Sequence, residues 1–314
     1  MKKIFTIVFI ILAAVSSFAK SKVLIVAKEQ EDFKKLTEFL QKEMGKDYES
    51  IVVNIEKGTE YSKFEAMIKG TKANLIVLMD NQAVSLGQEY YLKNPKDKTP
   101  SVALMGLNFK KMLKGDTHIC GIAYEVAAYS ILTQFRTARA DKKVKTVLTF
   151  YRGSQFEDVM SEAKQLAKME KIEIVAIDVE KKPDLLGYLK TEGKTEINSG
   201  KYDSVYVLLD SGLLEKKNFL EFWLPTAKEA KIPFLIGTEK FVDPSFDFAM
   251  YGMSPNLKEM AGQAIQMIES LLAGEKCQRI EDLIGVTSFW NDPKSEKLDI
   301  KLDEKEKNNV NILK

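Results

Sequence analysis

The feature that most limits how this chain can fold is a set of short apolar runs that do not alternate with polar residues. Residues 22–27 (KVLIVA), 51–55, 75–79 (LIVLM) and 101–105 (SVALM) each have the length of one strand. Strands that are apolar on both faces are covered on both faces, as in a parallel sheet. Amphipathic stretches lie between them. In 31–44, Phe33, Leu36, Phe39, Leu40 and Met44 fall on one helical face. Further helical segments carry Phe64, Met67 and Ile68, and then span 82–92.

The pattern then restarts. Residues 145–150 (KTVLTF), 172–178, 204–209 (SVYVLL) and 233–236 read as strands, and 155–169 as a helix with Phe156, Val159, Met160, Ala163, Leu166 and Ala167 inward. Residues 213–231 read as helical, with Pro225 expected to end or kink the helix. Two successive βαβαβ halves predict two doubly wound, Rossmann-like lobes of an α/β fold. A late helix is predicted over 254–274, with Ser254 as N-cap, Pro255 in the first turn and Gly274 as terminator. The charged tail from Asn291 onward is expected to wrap an edge.

Charge and composition narrow the function. The 314 residues contain 47 Lys+Arg against 45 Asp+Glu, a net charge of +2, which gives no basic excess for nucleic acid. One histidine, His118, and two cysteines, Cys120 and Cys277, exclude a disulfide framework and argue against a His/Cys metal centre. The two cysteines either pair with each other or stay as buried thiols. No phosphate-binding glycine loop, dinucleotide fingerprint or nucleophile elbow occurs. No enzyme activity, metal or cofactor is expected.

The N-terminus is built for export. Lys2 and Lys3 precede the apolar stretch 4–15, and Ser17 and Ala19 stand at −3 and −1 before Lys20. This predicts a signal peptide over 1–19, cleaved after Ala19. The apolar run is shorter than the ~20 residues a spanning helix needs, and no lipid-acceptor cysteine follows it. The mature protein is expected free in the periplasm.

In doubly wound lobes, ligands sit at the carboxyl ends of the strands. Those ends are polar here: 28–31, 80–82, 106–108, 151–155, 210–212 and 237–240. They single out Asn81, Gln82, Asn108, Tyr124, Tyr151, Ser154, Gln155, Asp210, Ser211 and Thr238 as candidate ligand-binding residues. Ser154 is placed to cap a helix whose free N–H groups would receive a carboxylate. Tyr151 and Tyr124 would stack on a flat part of the ligand. Asn81, Gln82, Asp210 and Ser211 would fix an amino or amide group.

At this point the chain resembles the type I periplasmic substrate-binding proteins of ABC transporters, in the branch typified by tryptophan-uptake binding proteins. The resemblance rests on 73–83 (ANLIVLMDNQA), 99–104 (TPSVAL), 119–123 (ICGIA), 147–154 (VLTFYRGS), 202–210 (YDSVYVLLD), 230–236 (AKIPFLI) and 250–274. The sequence departs from that branch at Gly106-Leu107-Asn108 and at Ala123-Tyr124-Glu125, both beside the expected ligand. The resemblance implies two lobes joined by a three-crossing hinge, with crossings near 121–124, 236–238 and 280–286. Lobe 1 would be 20–121 plus 238–283, and lobe 2 would be 122–237 plus 284–314. A monomer would close on a small organic ligand, an amino acid or similar, and deliver it to an ABC permease in the inner membrane. The alternative role is a periplasmic sensing module for a membrane receptor.

Overall fold

The structure is a computed structural model that describes residues 20–116, 118–277 and 280–314. The expected signal peptide lies outside the described residues. The strands form two sheets. The first contains β1 (Ser21–Ala27), β2 (Tyr48–Asn54), β3 (Leu75–Met79), β4 (Ser101–Leu104) and β5 (Ile119–Ile122). The second contains β6 (Thr146–Tyr151), β7 (Glu173–Asp178), β8 (Ser204–Val207), β9 (Phe234–Ile236) and β10 (Tyr251–Pro255). The two-residue strand β11 (Ile280–Glu281) returns to the first sheet, and β12 (Val286–Asn291) and β13 (Asn311–Leu313) complete the second.

The first sheet runs β11-β5-β4-β3-β1-β2, the second β13-β12-β10-β9-β8-β6-β7. Every pairing is parallel except β10 with β12. The halves are therefore equivalent, with β2-β1-β3-β4 matching β7-β6-β8-β9.

The unalternating apolar runs have the predicted cause. In β1, Val23 and Ile25 pack on one side with Leu36, Leu40, Met260 and Ile268. Leu24 and Val26 pack on the other with Phe64, Ile68 and Tyr90. The first group lies under α1 (Glu31–Met44) and the helix Leu257–Leu272; the second lies under α2 (Tyr61–Thr71) and α3 (Asn81–Lys93). α4 (Phe109–Met112) adds Phe109 to that second layer. In the second sheet, Val147 and Tyr151 face α5 (Ala128–Ala138) and α6 (Gly153–Met169), whereas Leu148 and Phe150 face Phe222 and Trp223. Each fully buried side chain of this size contributes about 1.5–3 kcal/mol.

The chain passes between the sheets three times: from β5 to α5, at Asn256, and from β11 to β12. The second passage corrects the expected crossing near 236–238. β9 is followed by β10 in the same sheet, with Tyr251 opposite Leu235 and Gly252 opposite Ile236. Residues 251–255 thus belong to the second sheet, and the chain returns to the first layer only at Leu257. β10 escapes a search for apolar runs because Gly252 stands in it. A Cβ at Gly252 would lie 2.9 Å from the Ile236 carbonyl oxygen, so the strand needs the glycine.

The late helix is corrected for the same reason. Ser254 and Pro255 are in β10, and the helix starts at Leu257. Its cap is Asn256, whose side chain accepts from the N–H groups of Lys258 (3.2 Å) and Glu259 (3.3 Å). Pro225 does not end the helical run, which continues to Glu229. It sits at the start of the helix Leu224–Glu229, just after a wide π-turn over Phe219–Trp223. The wide turn ahead of it accommodates the missing N–H inside the run. The tail adds β13 beside β12 at the edge of the second sheet and buries Asn291 and Lys294.

Cys120 and Cys277 are joined in a disulfide with a Cα–Cα distance of 5.4 Å. It fastens β5 to the segment leading into β11.

Candidate functional site

The carboxyl ends of both sheets face each other across the three passages. On the first sheet, Lys28 follows β1 and Asp80 follows β3, its neighbour. The Lys28 ammonium contacts the Asp80 Oδ2. The Asp80 Oδ1 accepts from the Ala83 N–H at 2.9 Å, capping α3. Asp80 is buried, and its backbone is unusual, with φ 83° and ψ 168°. That region is nearly exclusive to glycine and costs about 1–3 kcal/mol for another residue.

The second sheet repeats this arrangement. Arg152 follows β6, and Asp210 lies beyond β8, again its neighbour. Arg152 Nε donates to Asp210 Oδ2 at 2.7 Å, and Nη2 donates to Oδ1 at 2.5 Å. The Asp210 side chain is 0% exposed and that of Arg152 24% exposed. This charge-assisted, bidentate contact pushes the guanidinium's affinity for its proton even higher. Oδ1 also accepts from the Gly212 N–H at 2.8 Å.

The two ion pairs have a common sequence signature. Val23-Leu24 stand five and four residues before Lys28, as Val147-Leu148 stand before Arg152. Val77-Leu78 precede Asp80 as Val207-Leu208 precede Asp210. Lys28, Asp80 and Arg152 were missed by a search for polar loop residues one at a time. Aligning the two halves was the signal that finds them.

The predicted site residues separate into groups. Asn81 holds the loop after β4: its Nδ2 donates to the Leu107 carbonyl at 2.9 Å, and its Oδ1 accepts from the Leu107 N–H at 2.7 Å. Gln82 donates to the Glu56 carbonyl at 2.9 Å. Asn108, with φ 60°, reaches across to the other lobe and donates to the Gln155 carbonyl at 2.9 Å. The Gln155 side-chain oxygen accepts from Arg152 at 3.0 Å. Tyr124 and Thr238 line one cavity of about 560 Å³ beside the passages. Burial raises the Tyr124 phenol's affinity for its proton. Ser211 is exposed, next to Asp210.

Two expectations are corrected. The Tyr151 ring is buried in the second lobe's core and its hydroxyl donates to Glu157 at 2.7 Å, so it turns away from the cleft. That hydrogen bond, with burial, pushes the phenol up to about 12. The amino end of α6 does not offer free N–H groups. The Gly153 N–H donates to Asp178 at 3.0 Å, and Ser154 donates to Glu180 through both its N–H and its hydroxyl. The Ser154 contacts hold the Glu180 carboxyl below its usual range. Asp178 ends β7, the outermost strand, and so reaches the helix start from the side.

Between the lobes, Glu125 accepts from the Asn108 N–H, and Lys111 donates to the Ser154 carbonyl. Burial raises the Glu125 carboxyl above its usual range. Among the described residues no group of His, Cys, Asp and Glu is placed to hold a metal ion.

No protein-family model and no curated protein sequence matches this chain. Solved structures do match. An ABC domain in complex with L-Trp from Streptococcus pneumoniae aligns over 94% of this chain and 100% of its own, with TM-score 0.61 and 15% identity. A ligand-free, open substrate-binding protein with adhesive properties from Clostridium difficile aligns over 94% and 99%, with TM-score 0.70 and 14% identity. An ABC transporter substrate-binding protein from Desulfitobacterium hafniense, in complex with Leu, aligns over 86% and 97%, with TM-score 0.56 and 11% identity. The chain has their fold. It is the two-lobed, type I periplasmic binding fold.

Proposed function

We propose that this protein is a solute-binding component of an ABC importer that closes on a small organic ligand between its lobes. The observation that carries the reading is the repeated ion pair, one at the head of each sheet. In both lobes a buried aspartate just past one strand end pairs with a partly exposed cation just past the neighbouring one. Structural rivets need not occupy matched positions on two facing rims, whereas a ligand gripped from both sides requires groups there. The names of the three structures described above, which are substrate-binding or ABC proteins, support the same reading.

The lobes are the first sheet with its layers and the second sheet with its layers, hinged at the three passages. Ligand binding favours the closed arrangement, and the permease responds to it. The basic, apolar and small-residue order of residues 1–19 supports export to the periplasm. Among the described residues no helix is long and apolar enough to cross a membrane.

Small-angle scattering tests closure. Ligand released from natively purified protein is identified by mass spectrometry and added back. The expected result is a smaller radius of gyration and a higher melting temperature. Binding in the cleft without compaction would count against the hinge. Intact mass of the exported protein should begin at Lys20, and retention of Lys2 and Lys3 would remove the periplasmic reading.

A further inference from the structure

A cavity of about 340 Å³ lies at the hinge, at the small end of the range for small-molecule sites. Both lobes and two of the three passages wall it. Lys110 of α4 comes from the first lobe, and Val159 and Leu166 of α6 and Met253 of β10 come from the second. Glu125 and Val126 come from the first passage, Leu283 and Ile284 from the third. None of Lys28, Asp80, Arg152, Asp210, Tyr124 and Thr238 lines it, so it is distinct from the facing strand ends.

Val126, Val159, Leu166, Met253, Leu283 and Val286 give the cavity an apolar wall. Ile284 also lines it and is 78% exposed, an apolar side chain that an occupant would cover. The charges do not balance. Among the described residues lining it, three are acids, Glu125, Glu162 and Asp282, and one is a base, Lys110. Lys110 is engaged, with its Nζ 2.9 Å from Asp282 and 3.3 Å from Glu162. Glu125 forms no ion pair with any described residue, and its carboxylate accepts from the Asn108 N–H. Burial raises the Glu125 carboxyl despite the charge of Lys110 nearby. A half-buried acid without a cation is unfavourable until one arrives.

We propose that this cavity binds a small organic ammonium ion, its N–H groups on Glu125 and its hydrocarbon body on the apolar wall. This goes beyond the cleft reading above and does not depend on it. An anion would meet the excess of acid. An inorganic cation would need several oxygen ligands, and among the described residues no group of His, Cys, Asp and Glu is placed to hold one. An alkylammonium supplies the missing charge and three N–H donors, and its body takes apolar surface out of water.

The test uses probes that differ only in the charged group. Isothermal titration calorimetry on the full exported chain at neutral pH compares isoamylamine with isoamyl alcohol, and phenethylamine with phenethyl alcohol. At least one amine should bind with a Kd below about 1 mM, and at least about tenfold tighter than its alcohol. Glu125→Gln keeps an acceptor for the Asn108 N–H and removes the charge. Folded by circular dichroism, it should bind the amine at least about tenfold more weakly and leave the alcohol unchanged. Val159→Phe adds bulk to the cavity from α6 and should weaken the amine by the same margin.

No amine binding in this range, an alcohol as tight as its amine, or unchanged amine affinity in folded Glu125→Gln or folded Val159→Phe overturns the inference. These outcomes leave the cleft reading untouched, since no residue of the repeated ion pairs is altered.

Discussion

The two lobes reach the same rim by different means. In the first lobe the backbone shapes it. Asp80 (φ 83°), Met105 (φ 56°) and Asn108 (φ 60°) all hold positive φ without being glycine, and all lie just past β3 or β4. At the matching positions of the second lobe no non-glycine residue does so. There the rim is held by side chains: Arg152 joins Gln155 and Asp210, and Asp178 and Glu180 hold the start of α6 beside them. The first lobe also carries the disulfide, and the second has none among the described residues. A strained rim stores energy that a substitution can release. A rim held by side chains has no such reserve, so the same replacement should act differently on the two sides.

The largest expected effect comes from matched glycine substitutions. Asp210→Gly removes the partner of Arg152 and the acceptor of the Gly212 N–H, and should cost about 2–3 kcal/mol. Asp80→Gly loses a cap worth about 1 kcal/mol and a salt bridge, but relieves about 1–3 kcal/mol of backbone strain. Its net change should stay within about 1 kcal/mol. Equal losses would show that the Asp80 backbone is not strained in the way its angles indicate.

Next, redox state separates the lobes. Cys120 and Cys277 are 157 residues apart in sequence and both anchor the first lobe. Reduction should lower that lobe's stability by about 2 kcal/mol, the low end for a native disulfide, because the folded second lobe already ties up most of the loop that the cross-link closes. The second lobe should be unaffected. Urea unfolding followed by hydrogen exchange in both sheets checks this, and an equal loss in both lobes would break the comparison.

Ser154→Ala sharpens the role of the α6 end. Ser154 donates to Glu180 through its hydroxyl, while its N–H is unaffected by the substitution. The expected loss is about 1 kcal/mol, with ligand affinity unchanged, because this contact faces β7 and not the gap. A large affinity loss would return Ser154 to the binding surface.

The smallest effect lies at the passage between the lobes. Burial raises the Glu125 carboxyl, so the native state favours its protonated form. The stability this group contributes is complete below the ordinary glutamate range and is lost as pH rises through the raised value. Glu125→Gln keeps an acceptor for the Asn108 N–H and removes the charge. It should raise stability by under about 1 kcal/mol at pH 7, with the gain disappearing near about pH 4. A gain that grows on acidification would reverse the assignment.

Much of the fold was legible because burial on both faces leaves a periodicity of its own. The segments KVLIVA and LIVLM are strands in a covered sheet, and Phe33 to Met44 form one helical face. β10 was not legible. Its identity depends on β9 and β12 taking up its hydrogen bonds, and Gly252, Ser254 and Pro255 carry no apolar pattern. At the rim, the loops were legible and the directions were not. Tyr151 and Arg152 are consecutive, yet one enters the core and the other the gap.

The sequence by itself determined the two βαβ halves, the polar strand ends and the leader-like start, since each is written in local composition and spacing. Tertiary structure alone decided that Cys120 meets Cys277, that the second passage falls at Asn256, and that Asp178 and Glu180 fill the α6 end. It also decided that each half sets one cation against one buried aspartate. These depend on which strands become neighbours. Partners such as Lys28 and Asp80, or Arg152 and Asp210, are more than fifty residues apart in the chain, and only the order of strands in the sheet brings them together.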